Sequence, residues 1–197
     1  MKLMEKKELY RILEKVTAGR KSREAASTYF LGDEKNIKEL IGLVFEINDP
    51  VAVRASWVLD IVAGNDLAMI FPHLDIFIKG LGTVQNESVM RPLARITEKI
   101  LTALDSGNDV LPANFPDENQ HELLLAAAFK WLIGPHKTAT KVFAMRCLYY
   151  LGKSAPWVHD ELRGILKQQY ADGSSGYKAR ARDTLKRLEV HGRHGEG

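Results

Sequence analysis

Apolar side chains recur along this chain at intervals of three and four residues rather than two. Leu9, Ile12, Leu13 and Val16 follow that spacing, as do Ile37, Leu40, Ile41 and Val44, and Leu74, Phe77, Ile78 and Leu81. Such spacing places four side chains on one face of a helix. Val51, Ala55, Val58 and Val62 fall within an arc of about 60° on a helix turning 100° per residue. Val89, Leu93, Ile96 and Ile100 make a further stripe. No segment sustains the alternation of a half-buried strand, so the pattern predicts an all-α chain with essentially no sheet.

Local stop and start signals divide the stripes into modest helices. Gly32-Asp33 reads as a C′ glycine followed by an N-cap, and Asp49-Pro50 as an N-cap with proline at the first helical position. Phe71-Pro72 reads as a helix start, Gly134-Pro135 as a separator, and Gly152-Lys153-Ser154 as the end of one helix and the cap of the next. The helices expected are 3–18, 22–31, 34–47, 50–63, 67–82, 87–105, 118–133, 136–152, 155–170 and 175–189. Short links among ten helices predict five antiparallel hairpins. Pro92 falls inside the Val89–Ile100 stripe, so that helix either starts near it or kinks there. The one long link is 106–117. Residues 1–189 read as a single domain, and 190–197, ending in Gly-Arg-His-Gly-Glu-Gly, as a disordered tail.

A repeat of 37 residues runs through this pattern. It separates Arg54 from Arg91, and Ala144, Leu148 and Leu151 from Ala181, Leu185 and Leu188. The offset between Ala55 and Ala144 fits two such periods once the 106–117 link is treated as an insertion. The run Asp49-Pro50-Val51-Ala52-Val53-Arg54-Ala55 resembles the second-helix signature of HEAT repeats, and Met90/Arg91 is a weaker copy of its Val-Arg pair. The resemblance implies an armadillo-like right-handed α-α superhelix over residues 34–189, preceded by a divergent first hairpin. In such a stack the second helix of each hairpin lines a concave surface. It also implies that Arg54 and Arg91 bridge to acidic turn residues, for which Asp49 and Glu87 are available.

Composition adds less than the distribution of charge. Hydrophobic residues at 45% and charged residues at 27% are globular values, so the chain is not read as disordered. A single cysteine, Cys147, excludes an intrachain disulfide. The N-terminus carries no signal-peptide pattern and no apolar run is long enough to span a bilayer, so the chain reads as cytoplasmic. Residues 1–30 hold 8 Lys/Arg against 4 Asp/Glu, 31–133 hold 8 against 15, and 134–197 hold 12 against 6. An acidic middle between basic ends is compatible with one basic patch but not with a uniform cationic coat.

The candidate binding residues are Arg54, Trp57, Asp60, Arg91, Arg95, Lys141, Arg146, Lys178 and Arg182. Arg91, Arg95 and Lys99 share a helix face, as do Lys178, Arg182 and Lys186, while Lys137, Lys141 and Arg146 lie on a helix without acids. Placed on one concave wall they would form a basic track for phosphates or an acidic peptide. Solvated helix faces are the competing account. Trp57 lies off the main apolar stripe of its helix, whereas Trp131 sits in a helix apolar nearly all round and reads as core. Trp57 with Asp60 is similar to the tryptophan and aspartate of HEAT-like alkylation-repair DNA glycosylases, where the aspartate stabilises charge on the departing nucleoside. The scattered histidines lack metal-ligand spacing, and no phosphate-loop, dinucleotide or nucleophile-elbow motif is present, so no cofactor, metal or catalytic residue is assigned. The expected function is a non-enzymatic scaffold that binds a protein or peptide through its concave face. The alternative is nucleic-acid binding, with or without base excision. The 106–117 loop, through Val110, Leu111 and Phe115, is either tucked onto the body or a docking point.

Overall fold

The computed structural model describes residues 6–46 and 48–194, with side chains described as far as Val190. Ten α-helices and no strand are found among them. They are α1 (Lys6–Glu14), α2 (Arg20–Ser27), α3 (Glu34–Val44), α4 (Val51–Asn65), α5 (Leu74–Leu81), α6 (Glu87–Asp105), α7 (Glu118–Ile133), α8 (Thr138–Leu151), α9 (Pro156–Gln169) and α10 (Ser175–His194). The all-α expectation is met. No single helix is long and apolar enough to cross a membrane. Among the described residues only α4 followed by the segment Leu67–Leu81 passes on length and composition, as a pair bent by 116°. Both parts supply fully buried core residues such as Val58, Leu59, Phe77 and Ile78.

Caps set most boundaries where the sequence places them. Asp33 accepts from the backbone N–H groups of Lys35 and Asn36 at 3.0 and 3.2 Å, behind Gly32 at φ +81°. Asp117 and Gln120 form a reciprocal capping box at the start of α7. Pro50 rather than Asp49 stands at the N-cap of α4, but Asp49 still accepts from the Val51 N–H at 2.8 Å, and both its oxygens accept from the Tyr10 hydroxyl. That bond holds the Tyr10 hydroxyl above its ordinary pKa.

Three local expectations are decided by the structure. Residues Leu67–His73 form a 3-10 segment with Pro72 inside it, and α5 begins only at Leu74. Pro72 has no N–H for an α-type bond to Ala68 and disfavours the α conformation at Phe71. Second, α6 keeps its expected bounds, Glu87–Asp105, so it does not start near Pro92 but runs through it, and the buried ring removes the helical donor to the Ser88 carbonyl. Third, α10 continues to His194, so 190–194 is helical, while 195–197 lie outside the described residues. A lone Gly192 costs a helix only about 1 kcal/mol relative to alanine, too little to end it.

Five helices lie in a row: α4 packs against α2 and α6, and α8 against α6 and α10. On the other side α1 rests on α3 and α4, α3 on α4, α5 on α7, and α7 on α8, with α9 against α8 and α10. The core between the rows is continuous, from Leu9 to Leu188. The long link is largely tucked in: Leu111 and Phe115 are buried, Val110 is exposed, and the Phe115–Pro116 peptide is cis.

The α8–α9 turn is tight enough to predict a mutant. His159 is buried, stacks on Tyr149 with ring centroids 5.7 Å apart, and its Nε2 lies 2.8 Å from the Tyr149 carbonyl oxygen. A Cβ on Gly152 would overlap that imidazole. Because the ring is held on two sides, Gly152→Ala is expected to cost about 1–3 kcal/mol, the range for overpacking a filled site. A urea midpoint unchanged from the parent would show that the ring can move aside. Ser154 does not cap α9; its hydroxyl bonds the Leu151 carbonyl and faces His121.

Candidate functional site

On the row formed by α2, α4, α6 and α8, side chains turned away from the core meet in a cleft of about 570 Å³. The register of α4 decides what it offers. Val51, Ala55, Val58, Leu59 and Val62 are buried, which leaves Trp57, Ile61 and Gly64 along the cleft, with Trp57 half-buried at its wall. Burial of Leu93, Ala94, Ile96 and Thr97 on α6 likewise turns Ser88, Arg91, Arg95 and Lys99 toward the opening. α2 adds Arg20, Arg23 and Glu24, and Lys137 enters from the start of α8.

The charges in the cleft are unevenly matched. Arg20 pairs with Glu24 on its own helix at 2.7 Å. Arg95 donates to Asp60 Oδ2 at 2.9 Å. Glu87 is occupied by α8: it accepts from Thr140 Oγ1 at 2.6 Å and from the Lys137 N–H at 3.2 Å, and lies 2.9 Å from His136 Nδ1. That leaves Arg23, Arg91, Lys99 and Lys137 without an ion pair within 4.0 Å among the described residues. Two buried polar atoms there lack a hydrogen-bond partner, Arg23 Nε and Asp60 Oδ1. Burial lowers the pKa of Lys99, and like-charged Arg95 lowers it further; Asp60 and Glu98 oppose the shift. Its ammonium lies over Gly64, where a Cβ would sit 3.2 Å from Nζ.

Of the nine candidate residues, Trp57, Asp60, Arg91 and Arg95 come together here. Arg54 is half-buried on α4 outside the cleft, and Arg91 is exposed. The expected bridges from these two arginines to Asp49 and Glu87 are not formed, because Tyr10 holds Asp49 and the α8 groups hold Glu87. Arg146 borders an adjoining hollow with Lys99 and is neutralised: its Nε lies 3.2 Å from Glu98 Oε1 and its Nη2 donates to the Tyr150 hydroxyl at 3.2 Å. Arg182 faces α9, where its Nε lies 3.4 Å from the Tyr170 hydroxyl in a groove shared with Lys186. Lys141 and Lys178 are partly exposed and line none of these hollows. The basic track from α6 through α8 to α10 is therefore not continuous.

The sequence reading did not single out Arg20, Arg23 or Lys137. Arg20 and Arg23 lie 37 residues before Trp57 and Asp60, and all four line the cleft, but the same step forward from Trp57 and Asp60 reaches Ala94 and Thr97, which are buried.

Glu98 yields a pH prediction. Burial raises its carboxyl above the usual 4.5, and Arg146, Arg180, Arg95 and Lys99 offset only part of that rise. The folded chain then holds this proton more tightly than the unfolded chain. The resulting stability is complete below the unfolded pKa and is lost as pH rises through the higher folded value. Glu98→Gln should remove that component, so its urea midpoint should fall less between pH 4 and pH 7 than the parent's. Parallel curves would contradict the shift.

No group of three or more histidine, cysteine or acidic side chains suited to a metal occurs among the described residues. Cys147 is fully buried, with its thiol pKa pushed well up by desolvation, which disfavours the reactive thiolate. No family model, no curated protein and no solved structure matches this chain.

Proposed function

We propose that the chain is a HEAT-like, non-enzymatic binding scaffold of the cytoplasm, a short right-handed stack of helical hairpins whose concave face is the α2–α4–α6–α8 cleft. Its ligand is a compact acidic segment of a partner protein. The observation that carries this reading is the set Arg23, Arg91, Lys99 and Lys137, brought from three helices to one opening without ion-pair partners. Like charges gathered at one opening repel one another, with Arg23 and Lys99 partly buried and Arg91 and Lys137 exposed, and an anionic ligand relieves that repulsion. The short extent of the free charge favours a peptide over a long duplex, since Glu98 neutralises Arg146 and Arg182 lies on the α9 side.

A second reading rests on Trp57 and Asp60 lining the same cleft. A nucleic-acid strand would stack a base on Trp57, and in the glycosylase version Asp60 would face the departing sugar. Against that role, Arg95 already holds one oxygen of Asp60 and the other is buried.

The test is fluorescence anisotropy with a labelled acidic decapeptide, single-stranded DNA, RNA and duplex DNA, each across a salt series. The peptide should bind in the micromolar range, with affinity falling as salt rises, and Arg91→Glu/Lys137→Glu should weaken it at least tenfold. Tighter binding of DNA or RNA, sensitive to the same substitutions, would transfer the cleft to the second reading. Release of alkylated bases, lost in Asp60→Asn, would make the protein an enzyme. No binding of any probe at low salt would remove both readings.

A further inference from the structure

We propose that a second groove, sharing no lining residue with the cationic cleft, docks a basic peptide segment of a partner protein that carries an aliphatic or aromatic anchor. The groove, about 740 Å³, lies between the end of α6, the first turns of α7 and the α8–α9 turn. Its floor is apolar: Leu101, Leu104 and Leu125 contribute, with the Tyr150 ring beside them. One wall is Trp157, which is 55% exposed and stacks flat on Phe129 with centroids 6.0 Å apart. An indole held rigid by a second ring, and left open on its other side, can take an anchor at little cost in side-chain freedom.

The rim gives the partner its sign. Asp117, Glu118 and Glu122 stand on the α7 side, the last two one helical turn apart, and neither glutamate has an ion pair within 4.0 Å among the described residues. Lys153 is the groove's lysine, and it is already engaged. It pairs with Asp105 and lies 5.6 and 5.8 Å from the Tyr149 and Tyr150 ring centroids. An apolar floor does not suit a hydrated metal ion, and an acidic rim repels an anionic partner. What complements both is a chain segment alternating cationic and apolar side chains. The scaffold then offers opposite signs at two separate places, a cationic cleft and an anionic groove.

A fluorescein-labelled decapeptide alternating arginine and leucine tests this, with a glutamate–leucine decapeptide as control, both followed by anisotropy on the full chain. The basic probe should saturate at micromolar concentrations and the acidic control should not occupy this groove. Glu118→Lys/Glu122→Lys should weaken the basic probe at least tenfold, the milder Glu118→Gln/Glu122→Gln at least threefold, and Trp157→Ala at least tenfold. Arg91→Glu/Lys137→Glu, in the other cleft, should leave it within twofold. Thermal melts by circular dichroism confirm that each variant is folded. The proposal is overturned if the basic probe does not saturate below about 1 mM. It is equally overturned if the groove substitutions leave binding unchanged, or if the cleft substitutions abolish it. Because the two surfaces are probed by opposite peptides and separate variants, loss of one leaves the other standing.

Discussion

Alanine in place of Trp131 is expected to lower the unfolding free energy by about 3–5 kcal/mol, the range for truncating a buried tryptophan. Trp131 is 1% exposed, near the end of a helix that packs on α5 to one side and α8 to the other. Its loss would open a cavity where both rows meet, and rigid helices on two sides limit collapse into it. Phenylalanine separates cavity from polarity. The indole Nε1 is buried without a hydrogen-bond partner, so the native side chain carries a desolvation cost that phenylalanine would not. Trp131→Phe should therefore cost less than half as much as Trp131→Ala. Urea titration of both variants decides it. A loss below about 1 kcal/mol for the alanine variant would show that the helices close the gap, contrary to the packing argument.

The helices were legible because what defines them is local. Gly32 and Asp33 mark ends through a dihedral and hydrogen bonds that span only a few residues, and the stripes of α3, α5 and α6 follow from spacing alone. Of the positions 37 residues apart, Ala144 and Ala181 are both fully buried, whereas Leu148 is buried and Leu185 only partly so. The site was legible only in part, for a geometric reason. Adjacent residues on a helix point 100° apart, so deciding which flank a basic residue presents needs the neighbouring helix as well as the pattern. On α10 it is Arg180 and Asp183 whose charges act on Glu98 and Arg146 of the row, while Arg182 faces α9. Partner choice was the other obstacle. Asp49 and Glu87 were rightly marked as acidic residues at helix starts, but Tyr10 and Thr140, 39 and 53 residues away, claim them before the nearby arginines do.

Glu87 is where stability and the proposed function meet, and its replacement should show both. Its carboxylate joins the start of α6 to the start of α8 through Thr140, His136 and the Lys137 N–H. Removing it leaves the Thr140 hydroxyl, 0% exposed, without that acceptor. It also removes a negative charge from the first turn of α6, where the helix dipole favours one. Hydrogen bonds to a charged group contribute about 1.5–3 kcal/mol each but not additively, so Glu87→Ala is expected to cost about 2–3 kcal/mol. Thr140→Val in the same background should then add little, and a double-mutant cycle in urea would measure that coupling. An additive pair would mean the two side chains do not share the bond. The sign of the binding change is more informative. On charge alone, removing an acid that lines a cationic cleft should tighten an acidic ligand. If Glu87 instead fixes α8 so that Lys137 stands beside Arg91, its removal should weaken the acidic decapeptide severalfold while making the cleft more positive. Weaker binding in Glu87→Ala would make the clasp a positioning device for the cleft, and tighter binding would confine Glu87 to holding the helices together.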